Sequence, residues 1–135
     1  MRAPFNALRA PAQSPSHIAI ERYAITLLKG ETMSAQLVVL YKTPKDKDVF
    51  DKYYFEKHIP IAKKIPGLRK YEVNQGPVAT PAGPSGYHLV ALLHFDTLAA
   101  IQAAFGSPEG QAAAADVQTF ATGGVDMYMF DTKTV

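Results

Sequence analysis

At 135 residues the chain has room for one domain with a modest core, and 47% hydrophobic with 19% charged residues reads as a globular protein. No apolar run approaches the roughly 20 residues needed to span a bilayer, so no membrane partner is expected. The net charge is only +2, too small for the basic face that neutralises phosphates, so nucleic acid is excluded as a partner. The chain has no cysteine, which removes disulfides, thiolate nucleophiles, thiolate-bound haem and cysteine-held iron–sulfur clusters, and fits a cytoplasmic location.

Residues 1–16 are rich in Pro, Ala and Ser without a helical or strand period, and the apolar stretch His17–Leu28 is broken by Glu21 and Arg22. A continuous apolar core and a small-residue cleavage site are missing, which argues against a secretory signal; an organellar transit peptide is one alternative. The favoured reading is a native start at Met33, because Lys29, Gly30 and Glu31 can be encoded by a purine-rich run resembling a bacterial ribosome-binding site. Residues 1–33 are therefore expected to be an extension that is disordered or not translated, and residues 34–135 the domain.

Gln36–Tyr41 is a short, β-branched apolar run, expected to be a strand apolar on both faces. Asp46 or Asp48 then offers an N-cap for a helix to about Lys64, stopped by Pro66 and Gly67. Leu68–Gln75 alternates Arg69, Tyr71, Val73 and Gln75 against Lys70, Glu72 and Asn74, the pattern of a half-buried strand. Three prolines and three glycines make Gly76–Gly86 a loop or wide hairpin connection. Tyr87–Phe95 is the next strand, Asp96 and Thr97 cap a helix through Phe105, and Ser107 opens an alanine-rich helix to about Val117 with Pro108 and Glu109 in its first turn. Gly123 and Gly124 break the chain before a last strand, Val125–Asp131.

This order, βαββαβ with a split second helix, is the ferredoxin-like α+β layout. Helices cover one face of such a sheet. The other face, apolar as well, needs a second subunit, so a homodimer is expected.

One segment stands out for chemistry. At helical spacing Phe50, Tyr54, His58, Ile61 and Ile65 form one stripe, which faces a histidine into an aromatic and aliphatic interior. Pro60 cannot donate to the carbonyl of Glu56, so the helix is expected to bend there. An imidazole reached by water titrates near neutrality and can shuttle a proton. His58 is thus the expected catalytic residue, with Tyr54 one turn before it on the substrate. Tyr53, about a hundred degrees away, reads as packing or interface.

His88 and His94, six residues apart on one strand, lie roughly 20 Å apart at strand spacing, so one metal cannot bind both. His94 is the better second polar group. No His/Asp/Glu group has metal-ligand spacing, no glycine-rich loop suits a dinucleotide or phosphate, and Ser85 lacks the glycines of a nucleophile elbow. Neither metal nor cofactor is expected, and Ala112–Ala115 reads as helix filler.

The run Leu37–Lys42, the helix motif Phe50, Tyr54, His58, Pro60, the Pro66-Gly67-Leu68 turn, and Leu92–Asp96 with Phe105 together resemble the EthD family, over essentially Ser34 to Asp131. The resemblance implies a dimeric α+β barrel with a small-molecule pocket between each sheet and its helices. It also implies a loose oxidoreductase label and a functional helix histidine at His58. The expected pocket is His58 with Tyr54, Phe50, Ile61, Tyr41 and His94. Oxygenation without a cofactor, isomerisation and dehydration of a small apolar oxygenated compound all fit this equipment. A non-catalytic ligand-binding dimer, including one holding haem on a histidine, and an accessory dimer without ligand stay open.

Overall fold

The computed structural model describes residues 34–135, so the expectations for residues 1–33 lie outside the described residues. In chain order the elements are β1 (Ala35–Lys42), α1 (Lys47–Tyr53), a π-helical turn (Tyr54–His58), α2 (Ile59–Ala62), β2 (Lys70–Val73), β3 (Ala79–Thr80), β4 (Gly83–Pro84), β5 (Tyr87–Phe95), α3 (Leu98–Gly106), α4 (Pro108–Phe120) and β6 (Val125–Asp131). Strands β2, β5, β1 and β6, in that order and all antiparallel, make one sheet. The glycine- and proline-rich connection pairs β3 with β4 as a separate small hairpin. Two βαβ halves feeding a sheet of this order are the ferredoxin-like α+β fold.

Strand alternation decides what the sheet presents to the helices. Ala35, Leu37, Val39 and Tyr41 of β1 sit opposite Phe95, Leu93, Ala91 and Leu89 of β5, and all eight are buried. These residues and the helical Phe50, Tyr54, Ile101, Ala113, Val117 and Phe120 form the core. The in-between positions face away from the helices: Val38 lies opposite Leu92 and Tyr128, and Leu40 opposite Val90. The strand therefore is apolar on both faces. The edge strand β6 leaves Met127, Tyr128, Met129 and Phe130 exposed. Among the described residues no helix is long and apolar enough to cross a membrane.

The helix caps stand where the sequence places them. Asp46 Oδ1 accepts from Val49 N–H, Thr97 Oγ1 from Ala100 N–H and Ser107 Oγ from Gly110 N–H. Helix α4 runs on to Phe120, three residues beyond the expected end at Val117. Strand β2 is shorter than expected, holding Lys70–Val73 of the Leu68–Gln75 run. At the α3–α4 corner a Cβ on Gly110 would lie 2.0 Å from the carbonyl oxygen of Ala104. Only glycine lets α4 start so close to α3.

The bend expected at Pro60 takes a specific form. Ile59 N–H bonds to Tyr54 C=O, five residues back, so the helix widens into a π turn over Tyr54–His58. The proline ring would collide with the carbonyl four residues before it in a regular helix, and the wider turn relieves that clash. The extra residue in this turn also shifts the phase of α2. Phe50, Tyr54 and His58 stay on the buried stripe, and Ala62 and Ile65 continue it, while Ile61 is only half-buried.

Candidate functional site

His58 reaches the interior because three layers meet at it. The π turn delivers its ring from above, β1, β2 and β5 form the floor, and α4 closes the side. The residue is 4% exposed, its ring centroid 4.7 Å from that of Phe120 and 5.2 Å from that of Tyr54. Its Nδ1 lies 2.9 Å from Oδ2 of Asp116 on α4. The second carboxylate oxygen, Oδ1, accepts a hydrogen bond from the Tyr53 hydroxyl at 2.6 Å. A carboxylate can only accept, so Nδ1 carries the proton and Nε2 is left with its lone pair. Among the described residues nothing bonds to Nε2.

The charge state results from two opposed effects. Burial disfavours the imidazolium and pushes the His58 pKa down, and the hydrogen bond and charge of Asp116 pull it back up; burial is the larger. His58 therefore rests as a neutral, oriented base at neutral pH. Tyr41, Tyr54 and Tyr71 are pushed the other way, above the ordinary phenol range, chiefly by burial. All three stay protonated. The Tyr54 and Tyr71 hydroxyls lie 2.5 Å apart and share a hydrogen bond.

These groups surround a cavity of about 30 Å³, room for about two water molecules. His58, Tyr41, Tyr54 and Tyr71 supply its polar lining, and Leu37, Val39, Leu93, Ile65 and Val117 are among its apolar walls. Small side chains make the space: Ala62, Ala91, Ala113 and Ala114 all border it. Ala113 and Ala114 are thus pocket wall as well as helix formers. The mouth lies at the exposed lining residues Ala114 and Met127. Met127 is 44% exposed and unbranched, the wall most able to move for a larger ligand.

Of the residues expected in the pocket, His58, Tyr54 and Tyr41 line this cavity, and Phe50 stands behind it, stacked on Tyr54 and edge-on to Tyr41. Ile61 does not line it, since the π turn gives that place to Ala62 and Ile65. His94 is also elsewhere. Leu93 and Phe95 point to the helices, so His94 points to the opposite sheet face, where its Nε2 lies 2.9 Å from Glu72 Oε1. His88, treated as its companion, instead pairs with Asp51 of α1 at 2.7 Å. Among the described residues no three His, Asp or Glu side chains are grouped to hold a metal.

Three site residues escaped the sequence reading: Tyr53, Asp116 and Tyr71, the last read only as a position in a half-buried strand. Tyr53, read as packing or interface, is the hydrogen-bond donor to Asp116. Asp116 itself was hidden in the alanine-rich helix. The available signal was a lone carboxylate beyond the first turn of α4, beside the stripe Ala113, Val117 and Phe120 that the helix buries.

The profile of the EthD domain matches residues 42–124, a span that holds His58, Tyr71 and Asp116. A protein of Rhodococcus erythropolis, described as an uncharacterized 11.0 kDa protein in the thcB-thcC intergenic region, is 40% identical over 100 residues, which are 74% of this chain and 96% of that one. An EthD family protein of Bacillus halodurans has a crystal structure with 32% identity and a TM-score of 0.67, covering 76% of this chain and 99% of its own. Two further structures agree at the level of fold alone. A dimeric ferredoxin-like protein of unknown function from Bacteroides fragilis shows 21% identity, TM-score 0.53 and coverage of 73% and 96%. A hydroxynitrile lyase from Passiflora edulis shows 12% identity, TM-score 0.59 and coverage of 77% and 96%. A profile match across more than half the chain, and a relative aligned along nearly its whole length, place this chain in the EthD family.

Proposed function

We propose that the chain is an enzyme that moves protons on a small, largely apolar, oxygen-bearing compound without a cofactor. The observation that carries this reading is the His58–Asp116 pair in the wall of an apolar cavity. Asp116 holds the Nδ1 proton and fixes the tautomer, Tyr53 holds Asp116, and Nε2 is free to take a proton from a bound molecule. A histidine kept only for packing has no need of a carboxylate partner that is itself anchored. The hydroxynitrile lyase of similar fold supports the reading only in that this architecture can host catalysis.

The working unit in this proposal is a homodimer joined sheet to sheet. The apolar face with Val38, Leu40, Val90 and Leu92, continued by exposed Tyr128 and Phe130, lacks cover in one chain. The Bacteroides fragilis protein of this fold is described as dimeric, which supports the same arrangement.

Exchange of carbon-bound hydrogen tests the chemistry without knowledge of the natural substrate. A panel of small ketones in heavy water is followed by NMR with the wild-type protein and with His58→Gln, which keeps a polar side chain but cannot titrate. The proposal expects exchange on at least one ketone to be about a hundredfold or more faster with the wild type. Equal rates with both proteins across the panel contradict it.

A further inference from the structure

The dyad accounts for one side of the cavity and leaves the buried Tyr41 and Tyr54 and the half-buried Tyr71 unexplained. Tyr54 and Tyr71 together own two hydroxyl protons and spend one on the bond between them. One proton is left over whichever oxygen donates. Tyr41 is 2% exposed and lines the same cavity, its ring centroid 5.6 Å from that of Tyr54, yet among the described residues its hydroxyl has no hydrogen-bond partner. A buried hydroxyl without a partner is costly, and a leucine or phenylalanine would fill the place without that cost. Two unspent O–H donors therefore line one small apolar cavity with His58, and among the described residues the acceptor they lack is absent.

We infer that Tyr41 and the Tyr54–Tyr71 pair form a docking point for a ligand oxygen that gains negative charge, the carbonyl oxygen of a small enolisable compound. The chemistry rests on the proton-transfer reading above; the oxygen site rests on the tyrosines alone. His58 Nε2 takes a proton from the carbon next to the carbonyl. The electron pair of that C–H bond becomes a C=C bond, and the carbonyl π pair moves onto oxygen. That oxyanion accepts hydrogen bonds from the two free tyrosine hydroxyls. The imidazolium then returns its proton to the same or a conjugated carbon, the C=O bond re-forms, and nothing is oxidised or reduced. Tyrosines held above the ordinary phenol range by burial suit this task, because they donate without giving up their protons. The bond from Tyr54 polarises the Tyr71 hydroxyl further.

A phenolate carries its charge on an oxygen conjugated to carbon, as an enolate does, so 4-nitrophenolate is the probe and 4-nitrotoluene the control of equal shape without that oxygen. Binding is measured by calorimetry at a pH where the free phenol is ionised, with the wild type, Tyr41→Phe, Tyr71→Phe and His58→Gln. The expected result is tighter binding of the phenolate than of the nitrotoluene, weakened about tenfold in each tyrosine variant, with nitrotoluene binding unchanged. His58→Gln should keep the phenolate preference, so loss of proton exchange in the previous experiment and loss of the oxygen site are read separately. Tyr41→Phe should melt at the wild-type temperature or above it, since its hydroxyl has nothing to lose. The inference is overturned if phenolate does not bind, if it binds no better than nitrotoluene, if the tyrosine variants bind it as the wild type does, or if Tyr41→Phe melts several degrees lower.

Discussion

The Nδ1 of His58 and Oδ2 of Asp116 lie 2.9 Å apart although 58 residues separate them in the chain. One sits at the end of the π turn and the other in the last two turns of α4. Neither helix alone makes the pair. The π turn before Pro60 carries one, and the helix that starts against α3 at Gly110 carries the other.

Asp116→Asn should retain the fold and lose the chemistry. The asparagine amide can donate to Nδ1, which moves the imidazole proton to Nε2 and turns the base into a donor. Proton exchange should fall about a hundredfold or more, with the circular dichroism spectrum unchanged. Exchange within a few-fold of wild type would show that the carboxylate does not set the tautomer.

Burial of His58 makes stability depend on pH with a definite sign. Its folded-state pKa lies below the ordinary value of 6.5. Below 6.5 the unfolded chain binds a proton that the folded chain resists, so this contribution is present above 6.5 and is lost as pH falls through the folded pKa. Denaturant midpoints measured downward from pH 7 should decline in the wild type more steeply than in His58→Gln. Parallel curves would mean that His58 titrates alike in both states.

Pro60→Ala tests the π turn. Restoring an N–H permits the regular helical bond to Glu56 and allows the turn to narrow, which rotates His58 relative to Ala62 and Ile65. The variant should melt at or above the wild-type temperature and lose most of its proton exchange. A variant that melts lower and exchanges normally would remove the π turn from the mechanism.

The sheet-to-sheet dimer predicts a mass near twice 14.7 kDa in light scattering at micromolar concentration. Tyr128 is 61% exposed and opposite Val38, so Tyr128→Asp costs a single chain little but places a charge in the proposed interface. It should shift the mass toward the monomer with secondary structure intact. A wild-type monomer, or a variant as dimeric as the wild type, argues against this interface.

Local signals carried most of the fold. Caps at Asp46, Thr97 and Ser107, the period-two pattern of β5 and the Gly123–Gly124 break all have short-range causes, and the structure has them where the sequence places them. The site was legible only in part. His58, Tyr54 and Tyr41 lie in motifs readable by spacing, whereas Asp116 is polar in a helix whose other residues predict only packing, and its partner comes from another element. Ile61 misled because helical spacing assumes 3.6 residues per turn, which the π turn breaks. His94 misled because chemistry was assigned by residue type, while strand parity sends it to the other face.

The most direct test of the central claim needs no substrate. Long-range nitrogen–proton NMR of ¹⁵N-labelled protein reports, for each histidine, which ring nitrogen holds the proton and where the ring titrates. For His58, assigned with His58→Gln, the account predicts a neutral ring at pH 7, protonated at Nδ1 and bare at Nε2, with its titration on the acid side of 6.5. A ring protonated at Nε2, or an imidazolium persisting at pH 7, would contradict it.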